Sequence, residues 1–192
     1  MLSVSSCQTD NRLTKDEKEL INGADIDIPF RVLLTTDQQD YLFLRKKSSD
    51  LNFEKDKEEI QRLIERLKAT LEAEQGVGIA APQIGIARNL FLFVRTDKPD
   101  WPVEVAINPR IISHSEETIC FERDGCLSIP DQSGSSIRYP WIEVEYTNEQ
   151  GESVRERLEG YSRLDNNFVA VIFQHEYDHL QGVLFTDKLC DL

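Results

Sequence analysis

The sequence predicts an α+β domain in which antiparallel β-sheets pack around a central buried helix. Two helical patterns flank several strand-like runs, and strands do not alternate with helices in the order that a parallel sheet requires. The chain has 192 residues, of which 40% are hydrophobic and 30% are charged, so it can bury one sizeable core. We therefore expect one folded domain over residues 29–192.

Residues 1–28 are polar after the first few positions and show no amphipathic period, so we expect a flexible arm there. Within it, Val4-Ser5-Ser6-Cys7 resembles the end of a bacterial lipoprotein signal, in which small residues precede a lipidated cysteine. The basic and apolar regions of such a signal do not precede it. Two interpretations stay open: a chance tetrapeptide, or, if a longer precursor exists, a lipid anchor at the cell envelope.

The first helical pattern spans residues 54–75. Residues 28–41, which precede it, alternate short apolar runs with polar turns and indicate an edge segment leading into the domain. In 54–75 the apolar residues recur at helical spacing with charged residues between them, and Gly76 follows as a stop signal. This pattern is typical of an amphipathic surface helix whose charged side is solvated.

Strand-like runs follow at residues 90–94, 103–108, 116–121 and 141–148. The last run alternates apolar and polar residues and continues through a turn at 149–151 into 152–160, which predicts a half-buried antiparallel hairpin. A second helix is predicted over 164–181, ended by Gly182. Because few of its positions are polar, we expect this helix to be buried.

The second helix carries the most informative motif, His175-Glu176-Tyr177-Asp178-His179. Spacing of four residues places both imidazoles on one helix face, where they can bind one metal ion, with Glu176 beside it. The alternative is two core histidines that hydrogen-bond to the backbone. Buried imidazoles without partners cost free energy, so some group must satisfy them.

A catalytic divalent metal site typically uses three protein ligands, and Cys126 is a candidate for the third. It lies in Asp124-Gly125-Cys126-Leu127-Ser128, where the glycine permits close backbone approach. The alternative for Cys126 is a small buried hydrophobic residue, which is also our interpretation of Cys120 and Cys190. Four cysteines are too few and too irregularly spaced for a disulfide scaffold.

Three segments occur in the order found in one known family: GVGIAAPQ at 76–83, DGCLS at 124–128 and QHEYDHLQG at 174–182. With the Leu44-Arg45-Lys46 stretch, the similarity covers residues 40 to 190. The chain thus resembles the peptide deformylases, metallohydrolases that remove the formyl group from N-terminal formyl-methionine. Asp124 stands where the family usually has glutamate, and residues 131–136 lack an arginine that some bacterial members carry.

The resemblance implies a ligand set of Cys126, His175 and His179 for one divalent metal ion. The metal is usually ferrous iron in the family, with zinc, nickel or cobalt as substitutes. It further implies that Glu176 is the general base and then the general acid. The oxyanion would be stabilised by the metal, the Gln83 amide and the Leu127 backbone N–H.

The same resemblance implies a formyl-methionyl peptide as substrate, bound in extended form beside Gly78 with Val77 and Ile79 flanking that edge. We expect the pocket for the methionine side chain near His175, Ile172 and Phe173, with Cys120 as a weaker candidate. Two other functions remain as alternatives: a metalloprotease that cleaves internal peptide bonds, and a catalytically silent peptide-binding relative.

The composition limits the partners. A formal net charge of −13 repels phosphate backbones, so we expect no nucleic-acid binding. No apolar run approaches the length of a membrane span, and the mean hydropathy is −0.43. Many bacterial members continue into a basic C-terminal helix, whereas this chain ends at Leu192, so we expect no direct docking on the ribosome. Membrane association is expected only if Cys7 is lipidated; otherwise the family implies a cytoplasmic protein.

Overall fold

The computed structural model describes residues 11–190, in which four α-helices and seven β-strands are found. The helices are α1 (Lys15–Asn22), α2 (Gln38–Leu44), α3 (Lys57–Ala73) and α4 (Val169–Leu180). The strands are β1 (Gly78–Ala80), β2 (Leu90–Val94), β3 (Val103–His114), β4 (Ile119–Cys126), β5 (Ile129–Arg138), β6 (Trp141–Thr147) and β7 (Ser153–Glu159).

Five strands form one antiparallel sheet in the order β1-β2-β3-β6-β7, and β4 pairs with β5 in a separate two-stranded sheet. The predicted mixture of helices and antiparallel strands is confirmed. The hairpin of β6 and β7 is also as predicted, and β6 shows the alternating burial of a strand with one covered face. Strand β1 lies at the end of the order, so one of its edges has no partner strand among the described residues.

The large sheet is covered on both faces, which explains the uninterrupted apolar sequence of β2. Leu90 and Leu92 join the core beside α3, whereas Phe91 and Phe93 join the core beneath α4. Phe173 of α4 packs edge-to-face against both phenylalanines, at ring-centroid distances of 4.8 and 5.2 Å. Packing on this face therefore fixes where α4 lies relative to β1 and β2.

Helix α4 begins at Val169, five residues after the predicted start at 164. The reason is a tight turn: the backbone groups of Ser162 and Asn167 exchange hydrogen bonds of 2.8 and 3.0 Å, which closes residues 163–166 into a loop. Leu164, at the loop tip, is 92% exposed and contributes nothing to the core. From Val169 onward, nearly every side chain of the helix is buried, as the apolar pattern predicts.

The prediction of a flexible arm is wrong for residues 15–22, which form α1. Thr14 and Glu17 form a capping box at its start, and Ile21 is completely buried against the core beside α3. The eight residues of α1 span only two turns with two apolar positions, Leu20 and Ile21, so the period is too short to stand out in the polar sequence around it. The lipoprotein-like tetrapeptide ending at Cys7 lies outside the described residues.

The expected edge segment over 28–41 contains no strand. Its backbone instead runs beside the segments that carry Gln83 and Ser128. The Leu33 N–H donates to the Gln83 carbonyl at 2.7 Å, and the Thr35 N–H donates to the Ser128 carbonyl at 2.8 Å. Asp37 then caps α2. Among residues 11–190, no helix combines the length and apolar character needed to cross a membrane.

Cys120 and Cys190 are not buried hydrophobic residues but form a disulfide across 70 positions of sequence. Cys120 is exposed on β4. Cys190 lies beside the hairpin of β4 and β5, because its N–H donates to the Ser135 carbonyl of β5 at 2.8 Å. The prediction for these two cysteines is therefore wrong. The disulfide joins β4 to the segment that follows α4, and the loop it closes contains Cys126 and both motif histidines.

Reduction of this disulfide is expected to lower the free energy of unfolding by about 2–4 kcal/mol, because cross-linking a long loop restricts the unfolded chain. Urea denaturation of the metal-loaded protein with and without reductant measures the change. Cys190→Ser should match the reduced parent, and a Cys120→Ser/Cys190→Ser variant should show no further response to reductant. Equal stability of the oxidised and reduced parent would contradict a stabilising role.

Candidate metal centre

The candidate ligands converge from two elements. His175 and His179 lie on successive turns of α4, with ring centroids 5.1 Å apart, and Cys126 ends β4. The Cys126 Sγ is 3.2 Å from the His179 Nε2. One ligand atom from each of the three residues lies within 4.8 Å of the others, which is the spacing of a set that can hold one metal ion.

Two buried polar atoms at this set, the His179 Nδ1 and the Glu176 Oε2, have no hydrogen-bond partner within residues 11–190. Burial lowers the pKa of His179 well below its ordinary value, so its imidazole is neutral and available as a ligand. One cysteine sulfur and two imidazole nitrogens are donors that suit a divalent transition metal. Donor chemistry and geometry therefore both fit a single cation at Cys126, His175 and His179.

Asp124 orients one ligand. Its Oδ1 accepts from the His175 Nδ1 at 3.1 Å, and its Oδ2 accepts from the Ser136 hydroxyl at 2.5 Å and from the Arg138 guanidinium at 2.8 Å. Burial opposes ionisation of Asp124, but His175, Arg138 and Ser136 together hold its pKa far below the ordinary value. The carboxylate is therefore charged, and because it occupies the Nδ1, the Nε2 of His175 is the nitrogen left available to a metal ion.

The shorter side chain of Asp124, compared with the glutamate usual in the family, still reaches His175, Ser136 and Arg138. Asp124 follows a β-bulge: between the pairs Phe121↔Ser136 and Asp124↔Gly134, β4 contains one residue more than β5. Arg123 takes the positive φ of 55° that the extra residue requires. Arg138 is 1% exposed and also binds Asp178 of α4 at 2.6 Å, so the guanidinium ties the hairpin to the helix.

Glu176 is 4% exposed and faces Gly78 of β1. A Cβ at position 78 would lie 2.4 Å from the Glu176 Oε1, so only glycine leaves room for the carboxylate there. Burial raises the pKa of Glu176 to about 7. A carboxyl group with that pKa can both accept and donate a proton near neutral pH.

Hydrogen bonds at both the oxygen and the nitrogen of its side-chain amide fix Gln83. Its Oε1 accepts from the Ala80 N–H at 2.8 Å, and its Nε2 donates to the Ser128 hydroxyl at 3.2 Å and lies 3.6 Å from the Cys126 Sγ. The side-chain N–H donors therefore face the candidate metal site. Leu127 lies in the turn after Cys126 and lines the same cavity.

A cavity of about 370 Å³ opens beside these groups, with an apolar part next to α4. Of the predicted substrate-binding residues, Val77, Gly78 and Ile172 line it. Phe173 does not line the cavity, because it is completely buried in the core beneath α4, so the structure does not support its place in the methionine pocket. The Ile79 side chain is buried in the core beside α3, and its place next to Gly78 on the edge of β1 stays a prediction. Cys120 is also absent from its wall.

The structure adds cavity residues that the sequence interpretation missed, namely Phe121, Arg163, Phe168 and Val171. Phe168 and Val171 precede His175 by seven and four residues, so helical spacing could have identified them. No sequence signal places Phe121 or Arg163 there, because both positions depend on tertiary packing.

Known proteins resemble this chain both in sequence and in fold. The family model for polypeptide deformylase matches residues 32–192. A peptide deformylase of Pseudothermotoga lettingae is 44% identical over 146 residues, which cover 76% of this chain and 77% of that protein. The crystal structure of peptide deformylase from Thermotoga maritima matches with a TM-score of 0.72 and 36% identity, covering 85% of this chain and 99% of that one.

A further match is the crystal structure of the class I type b peptide deformylase of Acinetobacter baumannii with Met-Ala-Ser bound. It has a TM-score of 0.71 and 29% identity, and the match covers 85% of this chain and 99% of that chain.

Metal binding tests the ligand set. Loading with Co²⁺ is expected to give one bound equivalent and a sulfur-to-cobalt charge-transfer absorption, which Cys126→Ser abolishes because the thiolate is its source. Asp124→Asn should keep the absorption but weaken affinity by about 10–100-fold, since the orienting carboxylate charge is lost. Titration with a competing chelator measures both effects.

The matched control is the Cys120→Ser/Cys190→Ser variant, which loses two sulfurs outside the cavity and should keep both the absorption and the affinity. Persistence of the absorption in Cys126→Ser would refute Cys126 as a ligand.

Proposed function

The chain belongs to the peptide deformylase family and is a hydrolase that removes the formyl group from the amino terminus of nascent peptides, and from this premise we propose which residues carry the reaction. The supporting observation is the convergence of the Cys126, His175 and His179 ligand atoms within 4.8 Å, beside a buried carboxyl group. In this proposal, residues 29–192 form the catalytic domain, with both sheets packed around α4 as its central helix.

We propose that Cys126, His175 and His179 hold one Fe²⁺ ion, for which zinc, nickel or cobalt can substitute. A divalent cation bound there supplies Lewis acidity and lowers the pKa of a coordinated water toward neutrality. Asp124 keeps His175 in the tautomer that ligation needs, through the hydrogen bond to its Nδ1.

Glu176 carries the proton in this mechanism. Its carboxylate takes a proton from the attacking water and then donates it to the amine that leaves as the formamide C–N bond breaks. The pKa of about 7 that burial produces suits both transfers. The products are formate and a peptide with a free amino terminus.

The negative charge that develops on the formyl oxygen requires donors that are already in place. The Gln83 Nε2 provides one, since its side chain is fixed by the Ala80 N–H and the Ser128 hydroxyl. The Leu127 backbone N–H provides a second in this proposal. The Gln83 Oε1 stays on the Ala80 N–H, while its Nε2 exchanges the contact with the Cys126 Sγ for the formyl oxygen.

The substrate is a formyl-methionyl peptide, bound in extended form along the unpaired edge of β1 at Gly78, with Val77 beside it. Its methionine side chain enters the apolar part of the cavity formed by Ile172, Val171, Phe168 and Phe121. The bound Met-Ala-Ser of the Acinetobacter baumannii relative supports a peptide of this kind.

Formate release from formyl-Met-Ala-Ser by the anaerobically purified, iron-loaded protein tests the proposal. Glu176→Gln is expected to keep the metal and lose turnover, because an amide cannot accept the proton. Gln83→Ala is expected to lower kcat by about 100- to 1000-fold, the usual effect of removing one oxyanion donor.

An unformylated peptide serves as the negative control, and its cleavage by the parent would indicate a protease instead. Turnover unchanged in Glu176→Gln would refute this residue as the base.

Gly78→Ala should separate catalysis from metal binding. The added methyl group displaces the Glu176 carboxylate, so kcat is expected to fall on the order of 100-fold while the metal content stays the same. Formate release and metal analysis on the same sample measure the two properties.

The matched control is Gly125→Ala, which adds a methyl group to the same cavity where the nearest atom is the Gln132 carbonyl oxygen at 3.7 Å. It should lose less than about tenfold in activity. Full activity of Gly78→Ala would show that the close contact with Glu176 does not matter.

A further inference from the structure

Arg163 lies in the wall of the substrate cavity but has no part in the mechanism above. It belongs to the loop between β7 and α4, whose ends are joined by the Ser162 and Asn167 backbone hydrogen bonds. The Asp165 N–H also donates to the Ser162 hydroxyl at 3.2 Å. This short, closed loop places Arg163 in the wall of the cavity.

Two aromatic rings fix the guanidinium. Its Cζ lies 5.0 Å from the centre of the Phe121 ring and 4.8 Å from that of Phe168, and these two rings stack on each other. Both rings line the apolar part of the cavity. An arginine packed over aromatic faces still presents the N–H donors at its edge, which match a carboxylate in geometry.

Most of those donors are unused. The structure gives Arg163 one hydrogen bond, to the Arg123 carbonyl at 3.2 Å, and no ion pair among residues 11–190. Arg138, in contrast, is paired with both Asp124 and Asp178. Of the acidic groups in the cavity wall, Asp124 forms its ion pair with Arg138 and Glu176 points at Gly78. Asp124 attracts Arg163 only at longer range, and neither group forms a hydrogen bond or ion pair with it among the described residues.

Building on the proposed function, we propose that Arg163 is a specificity-determining residue that binds a carboxylate of the substrate peptide. That carboxylate is either an acidic side chain shortly after the methionine or the C-terminal carboxylate of a short formyl-peptide. A local cation matters in this chain because its net charge of −13 repels anionic peptides at longer range. Arg163 thus lets a strongly acidic enzyme accept acidic substrates.

Three matched substrate pairs test this inference and distinguish the sources of the carboxylate. They are formyl-Met-Asp-Ala-amide against its Asn counterpart, formyl-Met-Ala-Asp-amide against its Asn counterpart, and formyl-Met-Ala-Ser against its carboxamide. For each pair, the ratio of kcat/KM for the charged to the neutral member is measured in the parent and in Arg163→Gln. We expect this ratio to fall at least about fivefold in one pair or more.

Arg123→Gln is the matched control, because it removes the same charge from a neighbouring residue outside the cavity wall, and its ratios should stay within about twofold of the parent. Arg163→Lys keeps the charge, and its kcat/KM ratios should lie between those of the parent and those of Arg163→Gln. This variant also decides the outcome if Arg163→Gln is too unstable to assay. Equal ratios in the parent and both Arg163 variants, or an equal fall in Arg123→Gln, would overturn the assignment. Absence of formate release by the iron-loaded parent from every peptide would instead refute the proposed function.

Discussion

The hydrogen bond between Asp124 and His175 joins the two elements on which the site depends. Cys126 is carried by the hairpin of β4 and β5, and the histidines by α4, so their distance depends on how the hairpin docks on the helix. Asp124 spans this interface with one oxygen on His175 and the other on Arg138 and Ser136. A buried charge with all of its partners in place stabilises one arrangement and makes others costly. The same contacts that place Cys126 therefore also set the orientation of His175.

The large sheet contributes a second constraint, which acts on the Glu176 carboxyl group and not on the candidate metal ligands. Packing of Phe173 against Phe91 and Phe93 presses α4 onto β1 and β2. The resulting approach is so close that Gly78 directly adjoins Glu176. Burial in this contact raises the pKa of Glu176, so the ionisation of the carboxyl group depends on core packing. Glycine is required at position 78 because a Cβ there would overlap the Glu176 carboxylate.

Local sequence signals predicted what depends on neighbours along the chain. The helical spacing of His175 and His179, the hairpin of β6 and β7 and the amphipathic α3 each follow from a period that a few residues display. The same period explains the misplacement of Phe173: Ile172 precedes His175 by three residues and shares its face, whereas Phe173 precedes it by two and turns into the core. Strand β5 was missed because its residues 130–135 are mostly polar and it depends on β4 for pairing.

Local sequence signals do not predict contacts between distant segments. Several such contacts involve residues 185–190. The Phe185 ring stacks on the His175 imidazole at 6.2 Å, and Lys188 binds Asp178 of α4 at 2.6 Å. Leu189 then bridges to Ser136 of β5, next to the disulfide. An apolar, an ionic and a covalent contact thus connect this segment to both the helix and the hairpin. These contacts hold the segment against the two elements that carry Cys126, His175 and His179, although none of its described residues lines the cavity.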